Sequence, residues 1–280
     1  MNPDASPSPA LFFETINAYQ RTAALKAAID LNLFTSIGET PATAAEVAHR
    51  CQASARGTRI LCDYLTIIGF LTKTEGRYAL TPDAAMFLNR KSPAYAGGTA
   101  EFLLSPGIVG AFDDLAAVVR KGGTVLSEMG TTAPEHPEWL HFARSMGPLM
   151  VPAARALAEL VPLEAGKHAK VLDIAASHGM YGIAVAQRNS EARLVALDWA
   201  PVLQVATENA RAAGLGNRFD TIAGSAFEVD LGNDYDLVLV PNFLHHFPEP
   251  ECVRFLRRVH AALRAGGRVA IVEFVPNPDR

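Results

Sequence analysis

Apolar positions recur at helical spacing over residues 11–34, which predicts one long helix near the start of the chain. A second apolar stripe widens its face, and a helix that is apolar on nearly all sides packs against another subunit or another domain. Residues 1–10 hold three prolines and two serines, and we interpret them as a disordered lead.

The next segment has the pattern of a winged helix. Thr43 and Glu46 have the spacing of a capping box and predict a short helix, and a second helix begins at Ser54 or Thr58. Two β-prone runs then flank a Glu-Gly turn within residues 71–80. This order of two helices and a hairpin predicts a winged-helix fold.

A winged helix often binds DNA, and its second helix then presents basic and amide side chains. Here Arg56 and Arg59 stand at the start of that helix, while residues 60–70 are apolar apart from Asp63 and Thr66. The pattern therefore favours dimerisation over nucleic-acid binding.

Residues 92–168 are predicted to be helical with breaks. Small residues and prolines predict turns at residues 105–107 and 121–123. The helix that follows is interrupted at residues 147–148, a Gly-Pro pair, and a further helix covers residues 153–160.

The pattern changes after Lys170, where short apolar runs alternate with helical stretches. The runs lie at residues 171–174, 193–197, 218–222, 237–240 and 268–274, and the helical stretches at 180–188, 201–213 and 251–263. This alternation predicts right-handed βαβ units and a parallel sheet that is covered on both faces. Gly266 and Gly267 are interpreted as the stop of the last helix before the final strand.

Composition narrows the class of protein. The 280 residues carry 25 Lys and Arg against 29 Asp and Glu, which excludes a polybasic nucleic-acid-binding chain. The three cysteines have no C-x-x-C spacing, so we expect a reducing cytoplasm and neither a disulfide framework nor a zinc site. We see no leader pattern and no apolar run of about 18 residues, so we expect neither secretion nor a membrane span.

Ligands of an open parallel sheet bind at the carboxyl ends of the strands. The first strand ends in the sequence DIAASHG, residues 173–179, whose small residues let a ligand approach the backbone. The G-x-G-x-x-G fingerprint is missing, which argues against a nicotinamide cofactor. A tight turn without a ligand is the alternative.

Two further strand ends carry suggestive side chains. Asp198 ends the second strand, where an acid suits ribose hydroxyls and where Trp199 could cover an adenine face; capping of the next helix is the alternative. His245 and His246 follow the fourth strand. Adjacent histidines point in different directions and lack a metal-site spacing, so we expect no metal. A histidine at this edge can remove a proton, and a solvated loop histidine is the alternative.

Five segments occur in order at matching spacing: residues 173–179, 196–198, 223–227, 241–248 and 266–273. Together they resemble the class I S-adenosylmethionine-dependent methyltransferases, specifically the plant-type small-molecule O-methyltransferases and their bacterial relatives. The resemblance implies an α/β fold, with a Rossmann-like sheet preceded by a mostly α winged-helix dimerisation domain. It implies a homodimer that acts on a small-molecule acceptor, without nucleic acid or membrane.

The resemblance also implies roles for individual positions. It makes His245 the catalytic base and Glu273 the acid that orients this base. The residues implied to bind S-adenosylmethionine are Asp173, Ala175, Gly179, Asp198, Trp199, Ser225, Ala226 and Pro241. Those implied to bind the acceptor are Phe142, Met146, Met150 and Asn242.

The chain departs from the family pattern at several of these positions. Ala175, Ala176 and Ser177 replace the usual glycines, Ser225 replaces an acid, and His246 follows the base. These departures resemble bacterial members and leave open C- or N-methylation, or a cofactor-assisted hydroxylation. A winged-helix regulator that senses the cofactor is the non-enzymatic alternative.

The resemblance divides the chain into four parts. They are the lead 1–10, a dimerisation domain 11–100, a helical connector with acceptor-pocket helices 101–168 and the cofactor-binding domain 169–280. The family continues after the fifth strand with a helix and an antiparallel hairpin. We therefore expect an incomplete copy without that C-terminal hairpin, because residues 268–274 would otherwise form a long apolar edge strand.

Overall fold

The computed structural model describes residues 7–123 and 137–277. The chain forms two compact units that divide after Ala100. Most of the predicted lead, residues 1–6, lies outside the described residues, and residues 7–9 are exposed and not helical.

The predicted single helix over residues 11–34 is wrong, because the chain turns twice within it. The helices of the first unit are α1 (Ala10–Ile16), α2 (Ala18–Asp30), α3 (Leu33–Ile37), α4 (Ala44–Arg50), α5 (Ala55–Ile67) and α6 (Pro82–Phe87). A turn at Asn17 separates α1 from α2, and Asn32 adopts a left-handed φ of 54° before α3. The second turn directs Leu33 and Phe34 into the core, whereas α1 has no buried residue.

The predicted capping box and wing are confirmed. Thr43 accepts a hydrogen bond from the Glu46 N–H, and its own N–H donates to the Glu46 carboxylate at 2.7 Å. Ser54, not Thr58, caps α5 by accepting the Gly57 N–H at 3.1 Å. Strands β1 (Ala42–Thr43), β2 (Leu71–Thr74) and β3 (Arg77–Leu80) form an antiparallel sheet in the order β1-β3-β2.

The charged side chains near α5 are engaged within this unit. Asp63 accepts hydrogen bonds from Arg59 at 2.9 Å, from Lys73 at 2.6 Å and from the Tyr78 hydroxyl at 2.7 Å. These bonds join α5 to the hairpin of β2 and β3. They also hold two basic side chains against a carboxylate, which leaves less positive charge to bind a phosphate backbone.

In the second unit, the predicted break at residues 147–148 is wrong. Helix α7 (Thr99–Leu103) begins just before the division. The other helices of this unit are α8 (Pro106–Gly110), α9 (Leu115–Lys121), α10 (Pro137–Leu160), α11 (Met180–Gln187), α12 (Ala200–Ala212) and α13 (Glu249–Ala262). Helix α10 continues through Pro148 and Pro152, which stay on its exposed side. Met146 and Ala154 lie on its buried side, so packing outweighs the two backbone hydrogen bonds that the prolines cannot donate.

The two predicted turns of this region behave differently. The helical region breaks between α7 and α8 at residues 104–105, close to the predicted turn at 105–107. Ser105 caps α8 by accepting the Ile108 N–H at 3.3 Å, so residues 106–107 already belong to the next helix. Gly122 ends α9 in the left-handed conformation with φ 74°, as a glycine after a helix predicts.

The predicted parallel sheet is confirmed. Its strands are β4 (Ala169–Ile174), β5 (Ala192–Asp198), β6 (Phe219–Ala223), β7 (Tyr235–Pro241) and β8 (Leu263–Val272), in the order β6-β5-β4-β7-β8. Alternate residues belong to different cores: Val171 packs in the cluster that contains α10 and α11 residues, and Leu172 in the cluster that contains α13 residues. Both faces of the sheet are therefore covered.

The predicted role of Gly266 and Gly267 is wrong. Helix α13 already ends at Ala262, and both glycines lie inside β8, where the pairing with β7 shifts register. A Cβ atom on Gly267 would lie 2.7 Å from the carbonyl oxygen of Tyr235. The close approach of two backbones at this irregularity, rather than a helix stop, requires the glycine.

No single helix in the described part of the chain is long and apolar enough to cross a membrane. The pair Thr99–Gly110 and Leu115–Lys121 meets the length and composition test only when the two are taken together, and it is bent by 68° at its break. Helices of ordinary protein cores pass the same test, so the pair is weak support for a span.

Candidate active site

The carboxyl ends of β4, β5 and β7 meet at one edge of the sheet, where the strand order reverses between β4 and β7. Asp173 on β4 is in register with Ala196 on β5 and with Leu239 on β7. Asp198 is the last residue of β5, and Asn242 comes directly after β7. The topology therefore brings together the three predicted strand ends, because parallel strands end at the same edge.

The loop after β4 has an unusual backbone. Ala175, Ser177 and Gly179 all have positive φ values, of 52°, 52° and 75°. An alanine and a serine in this region are strained, and glycine adopts it freely. Two hydrogen bonds to β5 stabilise this strained conformation. The Ala176 N–H donates to the Leu197 carbonyl at 3.1 Å, and the Ser177 N–H donates to the Asp198 carboxylate at 2.8 Å.

The Asp198 carboxylate is fixed by two backbone donors. One oxygen accepts the Ser177 N–H, and the other accepts the Trp199 N–H at 2.7 Å. Trp199 is the N-cap residue of α12 and no side chain caps that helix, so the helix-capping interpretation of Asp198 is wrong. Burial raises the pKa of Asp198 to about 6, although the two N–H donors partly offset it.

Asp173 is completely buried beneath this edge. Its Oδ2 atom accepts the Gly182 N–H at 2.9 Å, which ties β4 to α11. Burial, with a contribution from the charge of Asp198, raises the pKa of Asp173 to about 7. Its Oδ1 atom and the Ser177 hydroxyl are buried without a hydrogen-bond partner among the described residues. Two unpaired polar atoms beside a strained loop fit a polar ligand that is bound there.

The remaining predicted cofactor residues lie around the same edge. The Ser225 hydroxyl accepts the Phe227 N–H at 3.3 Å, and Ala226 is buried in the core below. Pro241 is buried at the end of β7. Trp199 packs beside Val202 in a cluster with α10 residues. A role of these residues in binding adenosine stays a prediction.

His245 and Glu273 come together although α13 and β8 lie between them along the chain. His245 Nδ1 lies 2.7 Å from Glu273 Oε2. Glu273 Oε1 accepts the N–H groups of Phe243 and Leu244 at 2.9 and 2.7 Å. Burial alone would raise the pKa of Glu273, but the bonds from His245 and Leu244 outweigh it and lower the pKa. Glu273 is thus an ionised acceptor for a proton on Nδ1 of His245.

Six rings form a continuous series beside this pair, in the order His245, His246, Trp139, Phe142, His178 and Tyr181. Consecutive ring centroids lie 4.1, 5.6, 6.1, 6.3 and 6.4 Å apart. Burial, and next the charge of His245, lowers the pKa of His246, while Glu273 has a smaller raising effect. The sequence did not predict that His178 and Tyr181 belong to this series, because no local pattern indicates that these residues pack against α10.

Asn242 and Met150, two of the four predicted acceptor residues, contact Tyr181. Asn242 Nδ2 donates to the Tyr181 hydroxyl at 3.4 Å, and that hydroxyl lies 3.8 Å from the Met150 sulfur. Phe142 belongs to the ring series, and Met146 is buried on the same helix. The described residues contain no cluster of three or more His, Cys, Asp or Glu that could hold a metal ion.

This sheet, with an acid at the ends of its first two strands, defines a Rossmann-like methyltransferase domain. A methyltransferase-domain family model matches residues 171–267, and an O-methyltransferase dimerisation-domain model matches residues 13–90. A solved structure of a Nostoc punctiforme protein assigned as an O-methyltransferase is 54% identical in sequence to this chain and has a TM-score of 0.92. The match covers 98% of this chain and 82% of the Nostoc chain. The chain therefore belongs to the O-methyltransferase family that carries this dimerisation domain.

Two more distant relatives have stated substrates or ligands. The 3-hydroxy-5-methyl-1-naphthoate 3-O-methyltransferase of Streptomyces sahachiroi is 27% identical over 97% of this chain and 79% of its own. The structure of human N-acetylserotonin methyltransferase, in complex with S-adenosylmethionine, is 21% identical. It covers 100% of this chain and 84% of its own with a TM-score of 0.82, and shows the shared fold.

Proposed function

We propose that this protein transfers a methyl group from S-adenosylmethionine to a hydroxyl of a small aromatic or polyketide-like molecule, with His245 as the general base. The observation that carries the proposal is the 2.7 Å contact between His245 and Glu273 at the ligand-binding edge of the sheet. The family assignment supports the reaction type.

The residues at this edge fit S-adenosylmethionine, which supplies an electrophilic methyl group when bound. Asp198 stands at the strand end where an acid can accept ribose hydroxyls, and its two N–H donors hold it in place. The unpaired Ser177 hydroxyl is available to a polar group of the ligand. Ala175, Gly179, Ser225, Ala226 and Pro241 complete the proposed cofactor site, while Asp173 supports it from below.

His245 acts on the acceptor hydroxyl. A phenol has a pKa of about 10, so it is mostly protonated at neutral pH and is then a weak nucleophile. The Nε2 atom of His245 would take this proton when the hydroxyl oxygen receives the methyl group, and the ionised Glu273 would stabilise the imidazolium that results. Bound S-adenosylmethionine would supply the methyl group and leave as S-adenosylhomocysteine. Such proton transfer contributes roughly 10²–10⁴-fold to the rate. Alignment of the acceptor oxygen with the methyl group supplies the remaining rate enhancement.

The acceptor binds beside α10 in this proposal, against Phe142, Met146, Met150 and Asn242. These side chains are apolar, polarisable or neutral, and they suit a flat aromatic ring. The names of the Streptomyces sahachiroi naphthoate and the human N-acetylserotonin enzymes, both similar to this chain, refer to ring compounds and support this class of acceptor.

We further propose that residues 11–100 form a homodimerisation domain and that residues 101–168 connect it to the cofactor-binding domain 169–280. Exposed aromatic side chains on α1, including Phe12 and Phe13, support a partner surface there. The three cysteines are all free, which supports a reducing cytoplasm as the location.

The decisive experiment has two parts. The first compares thermal stabilisation by S-adenosylhomocysteine and by NAD; no shift with the former contradicts the proposal. The second incubates the protein with S-adenosylmethionine and phenolic acceptors, and follows product mass and the NMR shift of the new methyl group. A gain of one CH2 as an O-methyl signal supports it, whereas an N-methyl or C-methyl signal, or a gain of one oxygen, supports the alternatives.

A further inference from the structure

The rings of His245 and His246 lie against each other in the loop that follows β7. Residues Leu244–His246 form one turn of 3-10 helix, and the two ring centroids are 4.1 Å apart at an interplanar angle of 43°. Adjacent side chains usually point in different directions, but this turn brings the two rings together. The His245 side chain is 43% exposed, so a packed neighbour directly limits how freely its ring rotates.

Glu273 distinguishes the two histidines. Within residues 7–123 and 137–277, its carboxylate is bonded to Nδ1 of His245 and to the N–H groups of Phe243 and Leu244, and not to the side chain of His246. Burial, and next the charge of His245, lowers the pKa of His246, so this ring is neutral at neutral pH. His246 therefore neither competes for the carboxylate nor adds a charge beside the base.

The other ring contacts of His246 connect the loop to α10. Its ring meets Trp139 edge to face, with centroids 5.6 Å apart and an interplanar angle of 83°, and it lies 6.2 Å from the ring of Phe247. Trp139 in turn packs against a cluster that contains Val202 of α12. Helix α12 begins two residues after Asp198. A continuous set of contacts therefore links the proposed cofactor edge to the proposed base.

We propose that His246 is a positioning residue for methyl transfer: its ring, supported by Trp139, holds His245 on Glu273 and fixes the base relative to the cofactor edge. Alignment matters because a displacement of about 1 Å can cost about 100-fold in rate. The base follows β7 and the cofactor acid ends β5, so the contacts through α10 add a second link besides the sheet. The inference rests on the proposed function, because it concerns the base of that reaction.

The first measurement is the tautomer of His245 in the ligand-free protein. Nitrogen-15 NMR at about pH 8, above the ordinary histidine pKa of about 6.5, distinguishes a proton on Nδ1 from one on Nε2. The bond to Glu273 favours the proton on Nδ1. His246→Ala removes the packed ring, His246→Phe keeps an aromatic ring, and Trp139→Leu removes the support from α10. His260→Ala, at an exposed position of α13, is the control. The second measurement is kcat and KM with a phenolic acceptor, together with the Kd of S-adenosylhomocysteine.

We expect His246→Ala to lower the fraction of His245 with a proton on Nδ1 by about twofold and kcat by about 10-fold, with KM and the Kd of S-adenosylhomocysteine changed by less than about twofold. His246→Phe recovers most of both losses, and Trp139→Leu shows smaller losses of the same kind. If His246→Ala does not fold, Trp139→Leu decides the question.

Three results overturn the proposal. They are a wild-type tautomer and kcat in the ring-deleting variants, a loss in His246→Phe as large as in His246→Ala, and an equal weakening of S-adenosylhomocysteine binding, which identifies a general structural role. Failure of the proposed function is distinct, because His245→Ala then turns over at the wild-type rate. The tautomer of His245 in the ligand-free protein still decides whether His246 holds the ring on Glu273.

Discussion

The Oδ2 atom of Asp198 accepts the backbone N–H of Ser177 at 2.8 Å, and this bond joins the ends of two neighbouring strands. Ser177 is held at φ 52°, where a serine is strained, and the carboxylate stabilises that conformation. The same carboxylate is the proposed ribose ligand. One side chain thus shapes the loop and is available to the cofactor.

Replacement of Asp198 tests this double role. We expect Asp198→Ala to weaken the binding of S-adenosylhomocysteine by about 10-fold or more, because a charged hydrogen-bond acceptor and the loop conformation are lost together. Asp220→Ala on the adjacent strand is the control, since Asp220 is exposed and pairs with Arg193. Calorimetry gives both dissociation constants, and equal values for the two variants contradict the assignment.

The buried Asp173 predicts a specific pH dependence of stability. Its pKa is about 7 in the folded chain and 3.8 as an ordinary carboxyl, so protonation favours the folded state. This contribution is fully present below about pH 4 and is lost as the pH rises through about 7. Asn at position 173 does not titrate. As the pH rises through that window, we therefore expect the free energy of unfolding of Asp173→Asn to increase relative to that of the wild type by about 1.4 kcal/mol per pH unit.

Urea denaturation of the two ligand-free proteins at several pH values between 4 and 8 measures this difference. Asp220→Asn, an exposed acid in a surface pair, serves as the control and is expected to show no such trend. Parallel stability curves for wild type and Asp173→Asn are the outcome that speaks against a raised pKa.

Loss of the His245–Glu273 pair is expected to act on the chemical step. We predict that His245→Ala lowers kcat by roughly 10²–10⁴-fold, and that Glu273→Gln lowers it less, by about 10-fold. Both variants retain the cofactor-binding edge, so the Kd of S-adenosylhomocysteine stays within about twofold. His168→Ala, whose side chain is 93% exposed, is the matched control. Wild-type turnover by His245→Ala would show that alignment alone carries the reaction.

The structure around Gly267 predicts that a side chain at the register shift between β7 and β8 lowers the stability of the fold. A Cβ atom there would lie 2.7 Å from the Tyr235 carbonyl oxygen, so one of the two backbones has to move. We expect Gly267→Ala to lower the free energy of unfolding by about 1–3 kcal/mol in chemical denaturation. Gly123 has open space around it, so we expect Gly123→Ala to change the free energy of unfolding very little. Similar effects of both substitutions are incompatible with the close backbone approach.

The exposed aromatic residues of α1 predict the surface of self-association. Phe12 and Phe13 are 61% and 54% exposed, and their rings contact each other at 5.3 Å. We expect the double substitution Phe12→Glu and Phe13→Glu to convert a dimer into a monomer in sedimentation velocity, because two charges cannot be buried in an apolar interface. Thr72→Glu on the exposed side of β2 is the control. A double variant that remains dimeric places the interface elsewhere.

Patterns that depend on near neighbours were predicted well. The capping box of Thr43 and the hairpin turn at Glu75 involve residues within a few positions of each other, and the structure contains both. Strand and helix alternation after Lys170 likewise predicted the parallel sheet. Predictions failed where distant packing overrides a local rule: α10 passes through Pro148, and Gly266 lies inside a strand.

The sequence by itself determined the parallel sheet, the strand ends that carry Asp173, Asp198 and His245, and the family resemblance that pointed to Glu273. Periodicity, caps and turns suffice for this because they act over a few residues. Only the tertiary structure decided that Asp198 bonds to Ser177 instead of capping α12, and that a series of rings connects His246 to His178. These contacts join residues far apart along the chain, and packing of the sheet with α10 creates them.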